Sequence, residues 1–541
     1  MALILLISAA VISMAVIPLM MRLAPVLGMI DQPDARKVHA IPVSRVGGIG
    51  IVIGALLPLL IWFPIDELLR AYLIGAAVLM IFGAVDDARE LGHYVKFIGQ
   101  GIAVISMVYV GDLWVSSVPF FDYTLPAAIG KPFTVFAMIG VINALNHSDG
   151  LDGLASGEAL LSLMAIVYLS YLVGGDQIAT AVAMVTIGGI FGFLRFNTHP
   201  ARVFMGDSGS QFLGFTIGFL AVLLTQRIHT AMSPAVVLLL IGLPIVDILV
   251  VFYLRASGGM NWFKATRNHI HHRLLDLGFE HYETVVIIYS VQTLLVASGI
   301  LLRYQPDWLI TLVYLLVCIT LFALLTTAER RGWRAGTGTF TAPLSAALSD
   351  LRDSQALRKL PYAILATAVP LALFGGAFLV AEVPQDFAVI SGVLVIVLLA
   401  EVTFGKDFNS IIRRGIVYVT VVFLTYLLAT SPAVEPALMQ RLEFFYFGLL
   451  AVAVALTIRY CREVEFRTTP TDYLLLFIVL AVGVLPGELL SGNEIATGLI
   501  KAVILIYASE LLLMASERRW TVMMLATIGA LTVFAWQGLL A

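Results

Sequence analysis

Charge is what this sequence has least of. Of its 541 residues, 12% are Asp, Glu, Lys or Arg, about half the usual share of a soluble domain. A soluble fold of this length needs a charged surface, and there is too little charge to make one. The same scarcity excludes a disordered chain and a nucleic-acid binder, which needs a concentrated basic face. Cysteine is nearly missing too. Cys318 lies in an apolar run and Cys461 in a basic loop, which leaves neither a disulfide framework nor a cysteine-based metal centre. No Walker A loop is present. The first apolar stretch, 1–21, lacks a basic leader and a small-residue cleavage site, so it reads as a retained span rather than a signal peptide.

What fills the chain is apolar: 60% hydrophobic residues and a mean hydropathy of +0.98. The expected class is an all-α, polytopic integral membrane protein. Runs long enough to cross a bilayer recur near 2–24, 46–63, 70–85, 96–111, 133–145, 158–174, 177–194, 209–225, 234–254, 284–302 and 307–326. A basic polar stretch, 327–360, follows and reads as a cytoplasmic linker. Seven further runs fit near 361–381, 387–402, 412–430, 441–458, 472–487, 497–515 and 520–538. The total is about eighteen helices, about eleven before the linker and about seven after it. Alternate short loops carry the Lys and Arg residues, among them Arg36, Lys37, Arg45, Arg89, Lys96, Arg195, Arg202, Arg255, Arg267 and Arg273. The positive-inside rule makes those loops cytoplasmic.

The polar residues fall in the same loops and at the span ends beside them. GAVDDARE closes the third span with Asp86 and Asp87. Two carboxylates at a helix C-terminus are doubly disfavoured, so a metal or a cation such as Lys96 or Arg89 must compensate. NALNHSDGLDGLASG holds Asn143, Asn146, Asp149 and Asp152. Either aspartate alone could be a helix N-cap, but two asparagines and two aspartates in ten residues suggest metal and polar-ligand binding. NTHPARVFMGDSGSQFLG supplies Asn197, Arg202 and Asp207, the last at a helix start suited to a metal–phosphate. RNHIHHRLLDLGF gathers His269, His271, His272 and Arg273, a group that fits phosphate better than zinc because oxygen donors dominate the other loops. Asp247 lies within the ninth span, where an ionisable group is functional by default or paired with a neighbouring helix. Together these clusters describe one interfacial site for Mg²⁺-assisted phosphoryl transfer, with a lipid phosphate as one substrate.

These motifs, in this order, resemble the polyprenyl-phosphate N-acetylhexosamine-1-phosphate transferase family, over residues 1–326. DQPDARKVHAIPVSRVGGIG resembles that family's first cytoplasmic loop, and GAVDDARE, NALNHSDGLDGLASG, PARVFMGDSGS and HIHHRLLDLGF follow in order. The form HIHH resembles the N-acetylglucosamine-1-phosphate branch. His147–Ser148 departs from the pattern beside Asn146.

The resemblance implies transfer of a sugar 1-phosphate from a UDP-N-acetylhexosamine to undecaprenyl phosphate, with release of UMP. That reaction opens cell-envelope polysaccharide synthesis at the bacterial inner membrane. It implies Asn146 and Asp207 as Mg²⁺ ligands, with Mn²⁺ as an alternative ion. Asp86 would be base or nucleophile, Asp87 its support, Asp149 a positioning group and Asp152 a neighbour of the uridine. His269, His271, His272 and Arg273 would bind phosphate or sugar, with Asn197 also on the substrate side and Lys37 and His39 at the lipid phosphate. A homodimer is implied as well.

Residues 361–541 extend beyond the family's usual end and carry no comparable cluster. An accessory role is expected, such as a platform for downstream glycosyltransferases. The competing class, a transporter or flippase, would place its polar groups at the bilayer midplane. That disfavours it for 1–326 and leaves it open for the extension.

Overall fold

The structure is a computed structural model. It describes residues 2–32, 42–121, 123–259, 268–335, 355–404, 410–430, 437–460, 494–515 and 517–540. Chain contacts divide it into two units, one built mainly on residues 1–337 and the other mainly on 338–541.

The first unit is a helical bundle. Its helices are α1 (Ala2–Leu27), α2 (Gly47–Trp62), α3 (Glu67–Arg89), α4 (His93–Ile105), α5 (Ala127–Ser148), α6 (Leu154–Tyr171), α7 (Gln177–Asn197) and α8 (Gly206–Leu223). The short α9 (Val237–Leu240) and α10 (Gly242–Ser257) follow, then α11 (Ile270–Asp276), α12 (His281–Leu302) and α13 (Asp307–Arg330). Each of the eleven expected spans coincides with helix. The ninth is interrupted: Pro234–Val236 forms a 3-10 turn, and the chain breaks at Ile241 between α9 and α10. Among the described residues of the whole chain, eleven helices are long and apolar enough to cross a membrane, and α2 is a shorter apolar helix. This is a multi-pass membrane protein. The six described helices after the linker match six of the seven expected runs, and the run at 472–487 lies outside the described residues.

α8 is the buried axis of the first unit. Phe212, Phe215, Phe219 and Leu220 are fully enclosed, and α2, α3, α5, α6 and α7 all pack on this helix. Lipid gives no hydrophobic drive to helix association, so close backbone approach by small residues does that work. At Gly83 of α3 an added Cβ would stand 2.4 Å from the Ser208 Cα. This contact brings the acidic end of α3 directly onto the start of α8.

A two-stranded antiparallel ribbon, β1 (Ile30–Asp31) with β2 (Val43–Ser44), secures the segment before α8. Ser44 bridges to Val203, Phe204 N–H donates to Ser44 O at 2.8 Å, and Gly48 N–H donates to Met205 O at 2.7 Å. Arg45 pairs with Asp31 across the ribbon.

The second unit has helices α14 (Gln355–Ala377), α15 (Gln385–Phe404), α16 (Ser410–Thr430), α17 (Ala437–Tyr460), α18 (Glu494–Ala515) and α19 (Glu517–Leu540). It has its own apolar core, which includes Leu365, Leu373, Val421, Leu505, Leu512 and Phe534. Glu510 pairs with Arg414 and accepts from the Tyr418 hydroxyl, which compensates an ionisable group within an apolar helix.

Candidate active site

The connection that ends α3 and starts α4, the ends of α5 and α7 and the start of α8 all lie at one end of the first bundle, and the polar motifs come together there. Lys96, in the first turn of α4, places its Nζ 2.6 Å from Asp86 Oδ2 and 2.8 Å from Asp207 Oδ2. One ammonium thus bridges two carboxylates from different helices, and Asp207 lies 111 residues beyond Lys96 in sequence. This answers the compensation problem at the end of α3. The side chains of Asp86 and Asp207 are 5% and 19% exposed, so their mutual repulsion would be weakly screened without the cation. Asn146, in the last turn of α5, donates from Nδ2 to Asp207 Oδ1 at 2.5 Å and to Ser210 Oγ at 2.8 Å.

Asp87 has a different setting. Its Oδ1 accepts the Asp207 N–H at 2.8 Å and its Oδ2 accepts the Ser208 N–H at 3.1 Å. A carboxylate from α3 therefore caps the N-terminus of α8, where the helix dipole favours negative charge. Gly206 makes room for it. Its φ is +72°, and an added Cβ would meet both Asp87 oxygens at 2.6 Å. Asp87 is accordingly a positioning residue for Asp207.

The α5–α6 connection holds Asp149 and Asp152. Burial, followed by the charges of Asp207, Asp87 and Asp152, pushes the Asp149 carboxyl up to about 7. Neither aspartate is the N-cap of α6, which starts from Gly153. Asp152 instead accepts from the Ala201 N–H at 3.0 Å and lies 2.7 Å from His199 Nδ1.

Four imidazoles form a row beside this connection. His147 stacks on His269 at 5.4 Å, His269 on His271 at 5.7 Å, and His271 meets His272 at 4.3 Å. His147, the departure from the family pattern, is thus a member of the histidine group. Burial, then the neighbouring His272 and His269, holds the His271 imidazole well below its usual range. The backbone of Gly150 packs on the same ring, where a Cβ would stand 2.2 Å from Nε2. Asp247 pairs with His269.

Two expected substrate contacts are occupied otherwise. Asn197 is buried, accepts from the Gly153 N–H at 2.7 Å and donates to Val203 O at 2.9 Å. It splints the α5–α6 connection to the segment before α8. Arg273 makes a fork to Glu329, at 2.7 Å from Nε and 2.8 Å from Nη2, and also donates to Thr326. Lys37 and His39 lie outside the described residues. Sequence reasoning did not single out His199 and His281, whose rings stack at 4.0 Å. The only signal was their position beside motif loops.

The sequence model of glycosyl transferase family 4 matches residues 69–225, the stretch that carries Asp86, Lys96, Asn146 and Asp207. The chain is 34% identical over 297 residues to a protein of Bacillus subtilis (strain 168) named "Probable undecaprenyl-phosphate N-acetylglucosaminyl 1-phosphate transferase", covering 54% of this chain and 82% of that one. It is 31% identical over 328 residues to the undecaprenyl-phosphate alpha-N-acetylglucosaminyl 1-phosphate transferase of Escherichia coli (strain K12), covering 58% and 87%. It is 30% identical over 334 residues to the enzyme of that name from Yersinia pestis, covering 60% and 90%. This chain belongs to the polyprenyl-phosphate sugar-1-phosphate transferase family. Within this family member, the matched stretch runs from α3 into the π-helical turn that ends α8. It therefore contains both carboxylates bridged by Lys96 and the cap that orients one of them.

Proposed function

We propose that this protein transfers N-acetylhexosamine 1-phosphate, in particular N-acetylglucosamine 1-phosphate, from its UDP derivative to undecaprenyl phosphate and releases UMP. The reaction would take place at the cytoplasmic face of the bacterial inner membrane and begin a cell-envelope polysaccharide. The observation that carries the reading is the bridge of Asp86, Lys96 and Asp207 at the end of a membrane bundle, with Asn146 joined to it.

The residues fit a divalent cation. Asp86 Oδ1 is buried without a hydrogen-bond partner. The neighbouring donors are carboxylate, amide and hydroxyl oxygens, the hard set that Mg²⁺ prefers and Mn²⁺ accepts. Asp86, Asp207 and Asn146 would hold the ion. When bound, it would supply charge neutralisation to the pyrophosphate of the sugar donor.

An oxygen of the lipid phosphate attacks the phosphorus that bears the sugar, and the bond from that phosphorus to the UMP oxygen breaks. Asp86 takes the proton of the attacking phosphate, or forms the new bond itself in a two-step route. Lys96 offsets negative charge as two anionic substrates meet. Asp87 keeps Asp207 in register through the α8 cap. The histidine row supplies N–H donors to phosphate or sugar oxygens.

Membranes containing the protein should convert labelled UDP-N-acetylglucosamine and undecaprenyl phosphate to a lipid-extractable product, and EDTA should abolish it. The same membranes should give no product with Asp86→Asn or Asp207→Asn. Lack of product with every UDP-N-acetylhexosamine tried would reject the assignment.

A further inference from the structure

Glu158 is an enclosed acid that the proposed chemistry leaves unused. It lies in the second turn of α6 and is 2% exposed. Burying a carboxyl in a membrane bundle is costly, and such a group marks function by default. No cation pairs with it among the described residues, and the one hydrogen-bond partner of its carboxyl there is the Ser148 hydroxyl, which donates to Oε2. It also borders a small internal cavity lined mostly by apolar side chains, among them Val141, Leu145, Ile217 and Pro244. We propose that Glu158 is a positioning residue for the site: through Ser148 it fixes the end of α5 that presents Asn146 and Asp149. In catalysis that role rests on the proposed reaction.

The end of α5 needs such a tie. A helix commonly closes on a left-handed glycine that gathers its last carbonyls. Here the residue after α5 is Asp149, at φ −78°, and its N–H reaches Asn146 O at a long 3.4 Å. The far end of the connection is well held. Asp152 N–H donates to His281 Nε2 at 3.1 Å, Gly153 N–H to Asn197 Oδ1 at 2.7 Å, and the Tyr289 hydroxyl to Gly153 O at 2.7 Å. The near end carries the site residues, and there Ser148 supplies a side-chain tie. Ser148 lies between Asn146 and Asp149, and its carbonyl accepts the Gly150 N–H at 2.8 Å. Fixing one hydroxyl thus sets the turn on both sides of it.

An anchor must itself be rigid, and Glu158 is. At the preceding Gly157 a Cβ would stand 2.0 Å from the Tyr289 hydroxyl, so α6 lies close against α12 there. One turn further on, Ser162 Oγ donates to Leu240 O at 2.7 Å. The start of α6 is therefore held on both sides of Glu158, and its carboxyl reaches back ten residues to Ser148. Burial also makes the two partners interdependent. An enclosed polar group that loses its partner keeps its desolvation penalty, whereas replacing both partners by apolar groups is nearly neutral.

The test uses the full-length protein in detergent with undecaprenyl phosphate and UDP-N-acetylglucosamine. Glu158→Leu and Ser148→Ala should each lower kcat by about 10- to 100-fold, with a smaller change in the KM for the sugar nucleotide. Glu158→Gln keeps an acceptor for Ser148 and should retain most of the rate. Ser148→Ala leaves the enclosed carboxyl without its donor, so the melting temperature should fall, and adding Glu158→Leu should raise it again. The rate of that double variant should stay low. A double variant that regains the rate along with the melting temperature would make the pair a stability device and overturn the proposal, as would an unchanged kcat in Glu158→Leu. Mn²⁺ binding, followed by electron paramagnetic resonance, reads the positioning of Asn146 without the reaction, and the double variant should bind at least about tenfold more weakly. If the unmodified protein gives no product with any UDP-N-acetylhexosamine, the assigned reaction fails and the Mn²⁺ affinity decides. Weakened binding in the double variant then keeps Glu158 as a positioning residue, and unchanged binding overturns it.

Discussion

His269 is held by Asp247. The Nδ1 of His269 lies 2.7 Å from Asp247 Oδ2, while Asp247 Oδ1 accepts the Ile270 N–H at 2.8 Å, and both side chains are buried. One carboxylate therefore fixes both the ring of His269 and the start of α11. An acidic residue inside the ninth span is explained as a partner of the HIHH motif rather than as a helix-packing pair.

Asp247→Asn keeps an oxygen for Ile270 but not a carboxylate for Nδ1. It should lower kcat by about 10- to 100-fold, the usual loss when the group orienting a working imidazole is changed. The KM for the sugar nucleotide should move less, and Asp247→Glu should recover part of the rate. An unchanged kcat in Asp247→Asn would confine the pair to folding.

Lys96 is the cation that lets Asp86 and Asp207 share one site. Lys96→Gln leaves two enclosed carboxylates facing each other, and breaking such a pair costs about 3 kcal/mol. The melting temperature in EDTA should fall, and added Mg²⁺ should restore more of it in the variant than in the unmodified protein. Equal Mg²⁺ effects in the two proteins would show that the ion does not bind between these carboxylates.

The sequence made the helices legible because each span is a near-continuous apolar run, and the ninth was read as unbroken because Pro234 and Gly242 sit within equally apolar sequence. Asp86, Asn146 and Asp207 were legible as one polar group because expensive polar residues clustered on one set of loops, and the fold brings them together. Their division of labour was not. Asp86 and Asp87 are adjacent and chemically identical, yet one meets Lys96 and the other caps α8. That difference comes from the close approach of α3 to α8 at Gly83, a tertiary contact with no local pattern. Arg273 read as a phosphate ligand because its neighbours are histidines, while its partner Glu329 lies 56 residues away. His147 read as a departure because only the folded chain sets it against His269.

The extension bears on what the catalytic unit needs. The three relatives are matched over 82–90% of their own length by 54–60% of this chain, so transferases of this family fold without an equivalent of residues 338–541. A chain ending after Ala335 should therefore insert in membranes and keep the transfer activity. Lost activity with normal membrane insertion would make the second unit part of the catalytic machinery.

Asp149 gives the site a pH dependence whose sign is fixed. Its carboxyl is pushed up to about 7 in the folded protein, against about 3.9 in an unfolded chain. Between these values the folded state binds more protons at this position, so the contribution of Asp149 to stability is greatest below about pH 4 and is lost as pH rises towards 7. At pH 8 the fold carries a disfavoured carboxylate beside Asp207, Asp87 and Asp152. Asp149→Asn removes that charge and leaves an amide close in size to the protonated acid. In EDTA the variant should melt above the unmodified protein at pH 8, and the difference should shrink as pH falls to 5. A gap that is constant with pH, or that widens towards acid, would place the ionised form of Asp149 among the groups the fold stabilises.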